Sequence, residues 1–263
     1  MELTIGETVI HYEEMGRGTP LLLLHAFPMD GRMWREQHVL ADIAHVIIPD
    51  LRGVGRSSVT PPPYTMEMLG RDMFALLNSL EIDRAVVMGD SLGCYVAFSM
   101  YEMHPERFKA LVLTDTRPQA DNPETKERRQ RTVEGLRAEG TSFLSSRIDD
   151  LFSPVTHAER PELVAEFKAI AMEQNPEGLA GETLAMATRP DRLKLLPAIR
   201  VPTLVLCGVD DKPAPPDIMQ EMARMIPGAR FHLIPRAGHL SSLENPDEVN
   251  RLLRDFLASL PEV

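Results

Sequence analysis

Ser91 stands in Val86-Val87-Met88-Gly89-Asp90-Ser91-Leu92-Gly93, where an apolar run ends in a G-x-S-x-G pentapeptide and a helical stretch follows. A serine presented on so sharp a strand-to-helix turn sits in strained backbone, so the residues two before and two after it must be very small. Gly89 and Gly93 meet that requirement. The helix beyond the turn aims backbone N–H groups and a positive dipole end at the place where an oxyanion would form. The expected chemistry is attack by Ser91 on a carbonyl carbon. Centring the turn on Asp90 would put Met88 and Leu92 at the small positions, so Asp90 reads as a bystander. A tight turn with an incidental serine is the competing reading of the pentapeptide alone, and the flanking strand and helix argue against it.

A serine hydroxyl needs a base, and of the eight histidines His239 is the well-placed one. It lies in Pro235-Arg236-Ala237-Gly238-His239, directly after the strand-like run Arg230 to Ile234. His11, His38, His45, His104, His157 and His232 fall within elements or at helix ends and read as structural. The imidazole in turn needs a carboxylate to fix its tautomer. Gly208-Val209-Asp210-Asp211 offers one after the strand-like run ending at Cys207, which gives the chain order Ser, Asp, His. Asp115 is a rival after the run ending at Leu113, read as a surface or loop-capping residue.

These residues require a particular frame. Short apolar runs at Thr8 to Tyr12, Pro20 to Ala26, Ala44 to Asp50, Arg84 to Met88, Ala110 to Leu113 and Thr203 to Cys207 read as strands. Helical patterns at Met66 to Leu80, Cys94 to Glu102 and Glu244 to Leu260 alternate with them. Alternation of this kind implies an α/β fold with a doubly wound, mostly parallel sheet. The pattern breaks between Arg117 and Asp191, where helix-like pieces are punctuated by Ser153-Pro154, Arg160-Pro161 and Asn175-Pro176. A core of residues 1–116 and 192–263 with a helical cap of residues 117–191 is the expected organisation. Such an insertion suits a lid over the carboxyl ends of the strands. Lys126-Glu127-Arg128-Arg129 reads as a solvated helix face.

Acidic residues outnumber basic ones 39 to 28 for a net charge of −11, which repels nucleic acid and anionic lipid. The start has no basic n-region or apolar h-region, and no apolar run approaches a membrane span, so a cytoplasmic protein is expected. Cys94 and Cys207 are read as buried thiols. Scattered histidines and distant cysteines suggest no metal set, and no phosphate loop is present; no cofactor is expected.

Four motifs in order give the chain a resemblance, over essentially its whole length, to bacterial serine hydrolases of the α/β-hydrolase superfamily. His25-Ala26-Phe27-Pro28 resembles the family's H-G-x-P oxyanion motif, and Asp50-Leu51-Arg52-Gly53-Val54-Gly55-Arg56-Ser57 resembles its D-x-R-G-x-G-x-S loop. The elbow around Ser91 is the third motif, and Ala237-Gly238-His239 with Glu244-Asn245-Pro246 resembles the histidine loop. The resemblance implies an eight-stranded sheet with a helical lid. It selects Asp211 as the acid, and it implies an oxyanion hole from the backbone N–H groups of Phe27 and Leu92. His25 and Arg52 become structural residues. Ala26 departs from the usual glycine, adding a methyl group where the backbone often needs freedom. Phe27-Pro28 is similar to the aromatic-proline pair of cofactor-free perhydrolases (haloperoxidases), which implies a cis bond and a perhydrolase side activity. Carboxylesterases and enol-lactonases are equally similar.

The implied activity is hydrolysis of a small carboxylic ester or lactone through an acyl-enzyme on Ser91. Two other readings fit the same motifs. One is a small-molecule receptor that retains the triad; the other is a lyase or cofactor-free oxygenase using His239 as base. Met29, Met33, Met172 and Met186, with Phe143, Leu144 and Phe152, would either line an apolar cleft under the lid or pack the core. A shallow apolar pocket would favour short acyl or aryl esters.

Overall fold

A computed structural model describes residues 1–261 of the chain. Eight strands form one sheet: β1 (Glu2–Ile5), β2 (Thr8–Met15), β3 (Thr19–Leu24), β4 (Ala44–Pro49), β5 (Ala85–Asp90), β6 (Phe108–Thr114), β7 (Thr203–Gly208) and β8 (Arg230–Ile234). Their order across the sheet is β1-β2-β4-β3-β5-β6-β7-β8. The β1–β2 and β2–β4 pairs are antiparallel, and every later pair is parallel. The central strands are buried on both faces: Leu21 to Leu24 are all fully buried and read as an unbroken apolar run. Each such leucine contributes roughly 1.5–3 kcal/mol by leaving water. The short first strand, β1, was not among the expected runs; its alternating exposure gives it a weak pattern at the sheet edge.

Outside the segment between β6 and β7, the helices α1 (Met66–Ser79), α2 (Leu92–Met103), α8 (Pro216–Met225), α9 (Ser241–Glu244) and α10 (Pro246–Ala258) accompany the sheet. The helix expected from Glu244 to Leu260 is α10, which starts at Pro246, and the short α9 before it ends at Glu244. Pro246 cannot continue α9, and Asn245 between them caps α10 through Glu248 N–H. Between β6 and β7 lie α3 (Pro123–Glu139), α4 (Ser145–Asp149), α5 (Pro154–Glu159), α6 (Pro161–Met172) and α7 (Pro176–Thr188), with no strand among the described residues of that stretch. Each of α3, α5, α6 and α7 opens on a proline at its first position, where the missing N–H costs nothing. Asn122, Ser153 and Asn175 cap the helices that follow them, so the X–Pro breaks in the sequence are helix starts. We refer to this helical stretch as the cap.

The parallel register aligns the strand ends that carry the loops of interest. Leu24 pairs with Gly89, Asp90 with Thr114, Thr114 with Leu206 and Gly208 with Ile234. The loops beginning at residues 25, 91, 115, 209 and 235 therefore leave one edge of the sheet together. Among the described residues no helix is long and apolar enough to cross a membrane.

Candidate active site

Ser91 has φ 49° and ψ −106°, a conformation an L-residue holds only when its surroundings force it. A Cβ on Gly89 would come within 2.4 Å of Cys94 N, and one on Gly93 within 2.1 Å of Leu24 O. Those distances leave room for hydrogen only, so both glycines are steric necessities of the turn. The turn is also tied to β6: Ser91 N–H donates to Thr114 O at 3.0 Å, and the Thr116 hydroxyl donates to Ser91 O at 3.1 Å.

His239 Nε2 lies 2.8 Å from Ser91 Oγ, and its Nδ1 lies 2.9 Å from both carboxylate oxygens of Asp211. Asp211 is itself held by Ala214 N–H at 2.8 Å, and His239 N–H donates to Leu151 O of the cap at 2.8 Å. Burial alone would push the imidazole's pKa down, but the charge and hydrogen bond of Asp211, with Asp115 behind it, hold it above its ordinary value. The three residues singled out in the sequence are thus brought into one hydrogen-bonded line.

The loop after β3 carries Phe27, and the Phe27–Pro28 peptide is cis. Among the described residues Phe27 N–H donates to no protein acceptor, and Leu92 is the first residue of α2, where helical N–H groups have no intrahelical partner. Ala26 fits without the freedom of glycine: the non-glycine residues in the left-handed region are Glu81, Ser91, Asp115 and Arg236. His25 is buried, donating from Nδ1 to Ala26 O at 3.1 Å and accepting Leu51 N–H at Nε2 at 2.9 Å. Arg52 grips Asp72 through two bonds of 2.8 and 2.7 Å. Both hold neighbouring loops.

Two carboxylates lie behind Ser91, His239 and Asp211: Asp115, for which the sequence allows a surface or a loop-capping role, and Glu244, whose role residue type does not reveal. Asp115 is fully buried rather than on the surface, and it accepts Gly208 N–H at 2.8 Å and Ser241 N–H at 2.9 Å, joining the loop of Asp211 to that of His239. Burial and the neighbouring charge of Asp211 raise its pKa to about 7. Glu244 accepts Gly238 N–H at 2.8 Å on one oxygen and, on the other, Ser153 N–H at 2.7 Å and the Thr156 hydroxyl at 2.6 Å. It fastens the cap to the histidine loop; its place in Glu244-Asn245-Pro246 was the available signal. Asp90 is buried with neither carboxylate oxygen bonded, and its pKa is pushed well up by burial and by Asp115, Asp211 and Glu244. Asp115, Cys207 and Asp211 bring ligand-type atoms within 4.8 Å of one another, but both carboxylates already accept the hydrogen bonds described, and Cys207 Sγ donates to Gly208 O.

A cavity of about 770 Å³ opens over Ser91 and His239. Met186 and Leu144 line it, as the sequence allowed, whereas Met29 and Met33 are fully buried in the core. The wall is mixed rather than apolar. Arg128 and Arg129, read from the sequence as part of a solvated face, border the cavity together with Thr125 and Thr132 of the same helix.

An elbow serine, a histidine and an aspartate converging on the carboxyl edge of a mostly parallel eight-stranded sheet define a class. The chain belongs to the alpha/beta hydrolase fold family, whose profile matches residues 19–246. Among solved structures it is similar to a thermophilic esterase from Thermogutta terrifontis, malate bound, with 41% identity, a TM-score of 0.95 and coverage of 98% of this chain and 96% of that one. It is also similar to the enol-lactonase from Burkholderia xenovorans LB400, at 28% identity, a TM-score of 0.92 and coverage of 98% and 100%. In sequence it is 27% identical to 3-oxoadipate enol-lactonase 2 of Acinetobacter baylyi over 94% of this chain and 92% of that protein.

Proposed function

We propose that the protein is a serine hydrolase that cleaves a small carboxylic ester or lactone through an acyl-enzyme on Ser91. The observation that carries this reading is the continuous hydrogen-bonded line from Ser91 Oγ through His239 to Asp211 at the floor of a 770 Å³ cavity. With its own proton on Nδ1 facing Asp211, His239 takes the serine proton at Nε2 as Oγ attacks the carbonyl carbon. The carbonyl oxygen takes the negative charge and accepts the N–H groups of Phe27 and Leu92. The imidazolium then protonates the leaving oxygen, and the acyl group stays on Oγ. Water, deprotonated by His239, attacks the acyl carbon, and the proton returns to Ser91 as the acid leaves. A lactone opens by the same steps to a hydroxy acid. Esterases and an enol-lactonase among the relatives support this substrate class. A cytoplasmic setting suits Cys94 and Cys207, both buried as free thiols.

Steady turnover of p-nitrophenyl butyrate is the expected result, with Ser91→Ala lowering kcat by a factor on the order of 10³ to 10⁶. Wild-type turnover in purified Ser91→Ala protein would remove the mechanism. A single slow turnover with a raised melting temperature would point to a ligand-binding protein instead.

A further inference from the structure

In a chain of net charge −11, the cavity over Ser91 is lined by five cations and two carboxylates. One of the carboxylates, Asp121, is neutralised by Arg129 at 2.9 Å and Arg189 at 2.7 Å; the other, Asp150, is exposed and pairs with none of the described cations, leaving one carboxylate against four unpaired cations. Among the described residues, Arg117, Arg128, Arg147 and Lys212 on the cavity wall form no ion pair. Arg147 shows what this costs. Half-buried, its guanidinium donates to the Thr132 hydroxyl and lies 4.8 Å from the centroid of the Phe143 ring. Burial and the like charges of Arg128, Arg131 and Arg129 pull its pKa below the ordinary arginine value. An excess of cations held close together costs stability, and an anion joining them relieves it.

The cluster is continuous with the candidate active site. Arg147 on α4 stands four residues before Leu151, whose carbonyl accepts His239 N–H at 2.8 Å. Arg117 is close enough to His239 to oppose its protonation. We propose that the substrate carries, besides the scissile ester or lactone carbonyl, a second and ionised carboxylate that Arg128 and Arg147 bind from the cap. This rests on the hydrolase reading of Ser91 and names its substrate class. A guanidinium presents paired N–H donors at the spacing of a carboxylate's two oxygens, which makes arginine the suited cation.

The test uses 4-nitrophenyl hydrogen glutarate and its neutral counterpart 4-nitrophenyl 5-oxohexanoate, in which a methyl ketone replaces the carboxylate, with spontaneous hydrolysis subtracted. Wild-type protein should prefer the anionic ester in kcat/KM, and the preference should shrink as salt rises. The double variant R128Q/R147Q should lower kcat/KM for the glutarate ester roughly tenfold or more beyond its effect on the neutral one; R128K/R147K, which keeps the charge, should restore part of the preference. Calorimetry on Ser91→Ala protein supplies a readout independent of catalysis: glutarate should bind, and R128Q/R147Q should weaken that binding by a similar factor. Dependence on the two arginines in either measurement supports the proposal. Absence of both overturns it, as does binding of inorganic phosphate in preference to glutarate. Hydrolysis of the neutral ester would then leave the hydrolase reading standing. Failure of both esters to turn over, with arginine-dependent glutarate binding, would remove that reading and keep the anion site.

Discussion

Ser91, Asp211 and His239 leave the sheet from loops whose backbone is fixed by parallel neighbours, by the Leu24 carbonyl against Gly93, and by Asp115 between Gly208 and Ser241. Arg128 and Arg147 stand on cap helices, and the cap meets the histidine loop through side chains such as Glu244 and through the Leu151 carbonyl. The floor of the cavity is thus set by main-chain sterics that allow few residue types, and its roof by side chains on helix faces that allow many. Under the proposed function, floor residues act on the reacting carbonyl and roof residues select what is attached to it. Substitutions in the floor should therefore lower kcat, and those in the roof should change which substrate is preferred.

The largest effect expected after loss of Ser91 is that of Asp211→Asn. The amide keeps the size of the side chain but can favour the wrong imidazole tautomer, so kcat should fall by a factor on the order of 10⁴ while the melting temperature changes little. Steady-state kinetics on both esters should show the same loss for each, and unequal losses would blur the division between floor and roof.

Glu244 belongs to both regions, and its replacement should damage both. Glu244→Ala leaves two buried backbone N–H groups and the Thr156 hydroxyl without their acceptor, for a loss of about 3 kcal/mol in denaturant unfolding. Activity should fall in kcat and KM together, because His239 and the cap both lose their anchor. A loss confined to stability would mean that other contacts hold the cap in register.

Asp115→Asn should act more gently, through charge. Where Asp115 is ionised, its charge helps hold the imidazole of His239 above its ordinary pKa, and only neutral His239 can serve as base. Removing that charge should move the acid limb of the kcat/KM profile to lower pH. The folded pKa of about 7 also means that the native state keeps a proton the unfolded chain releases near 3.8. Stability contributed by Asp115 therefore falls as pH rises between those values, and the asparagine variant should flatten that part of the curve. The cost of an imperfect acceptor for two N–H groups should be about 1 kcal/mol. An unmoved acid limb would reduce Asp115 to a loop tie.

The same division explains what the sequence made legible. Gly89, Ser91 and Gly93 could be read because the elbow's sterics are local, and His239 because it directly follows the run that forms β8. The parallel strands could be read from continuous apolar runs, whereas β1, half-exposed and only four residues long, could not. For Asp115 the loop-capping reading holds and the surface one does not: an isolated aspartate after a strand gives no sign of being buried, and its partners are N–H groups 93 and 126 residues away. Lys126, Glu127 and Arg128 are exposed, as a solvated face requires; helical spacing separates polar faces from apolar ones but does not show that Arg128 and Arg129 of this face also border a cavity. Thr125, Arg128, Arg129 and Thr132 lie on one such face. The sequence leaves the methionines open between cleft and core, and the structure divides them: Met29 and Met33 fill core space, as methionine readily does, while Met186 lines the cavity.

The central claim is that Ser91 is a nucleophile activated by His239. Its most direct test is peptide mass spectrometry after brief exposure of the native protein to a fluorophosphonate, which reacts covalently with an activated serine and spares ordinary ones. The account predicts one phosphonyl group, on the peptide containing Ser91, formed rapidly in wild type and slowed severely in His239→Ala. An unmodified Ser91, an adduct on another residue, or equal labelling with and without His239 would contradict it.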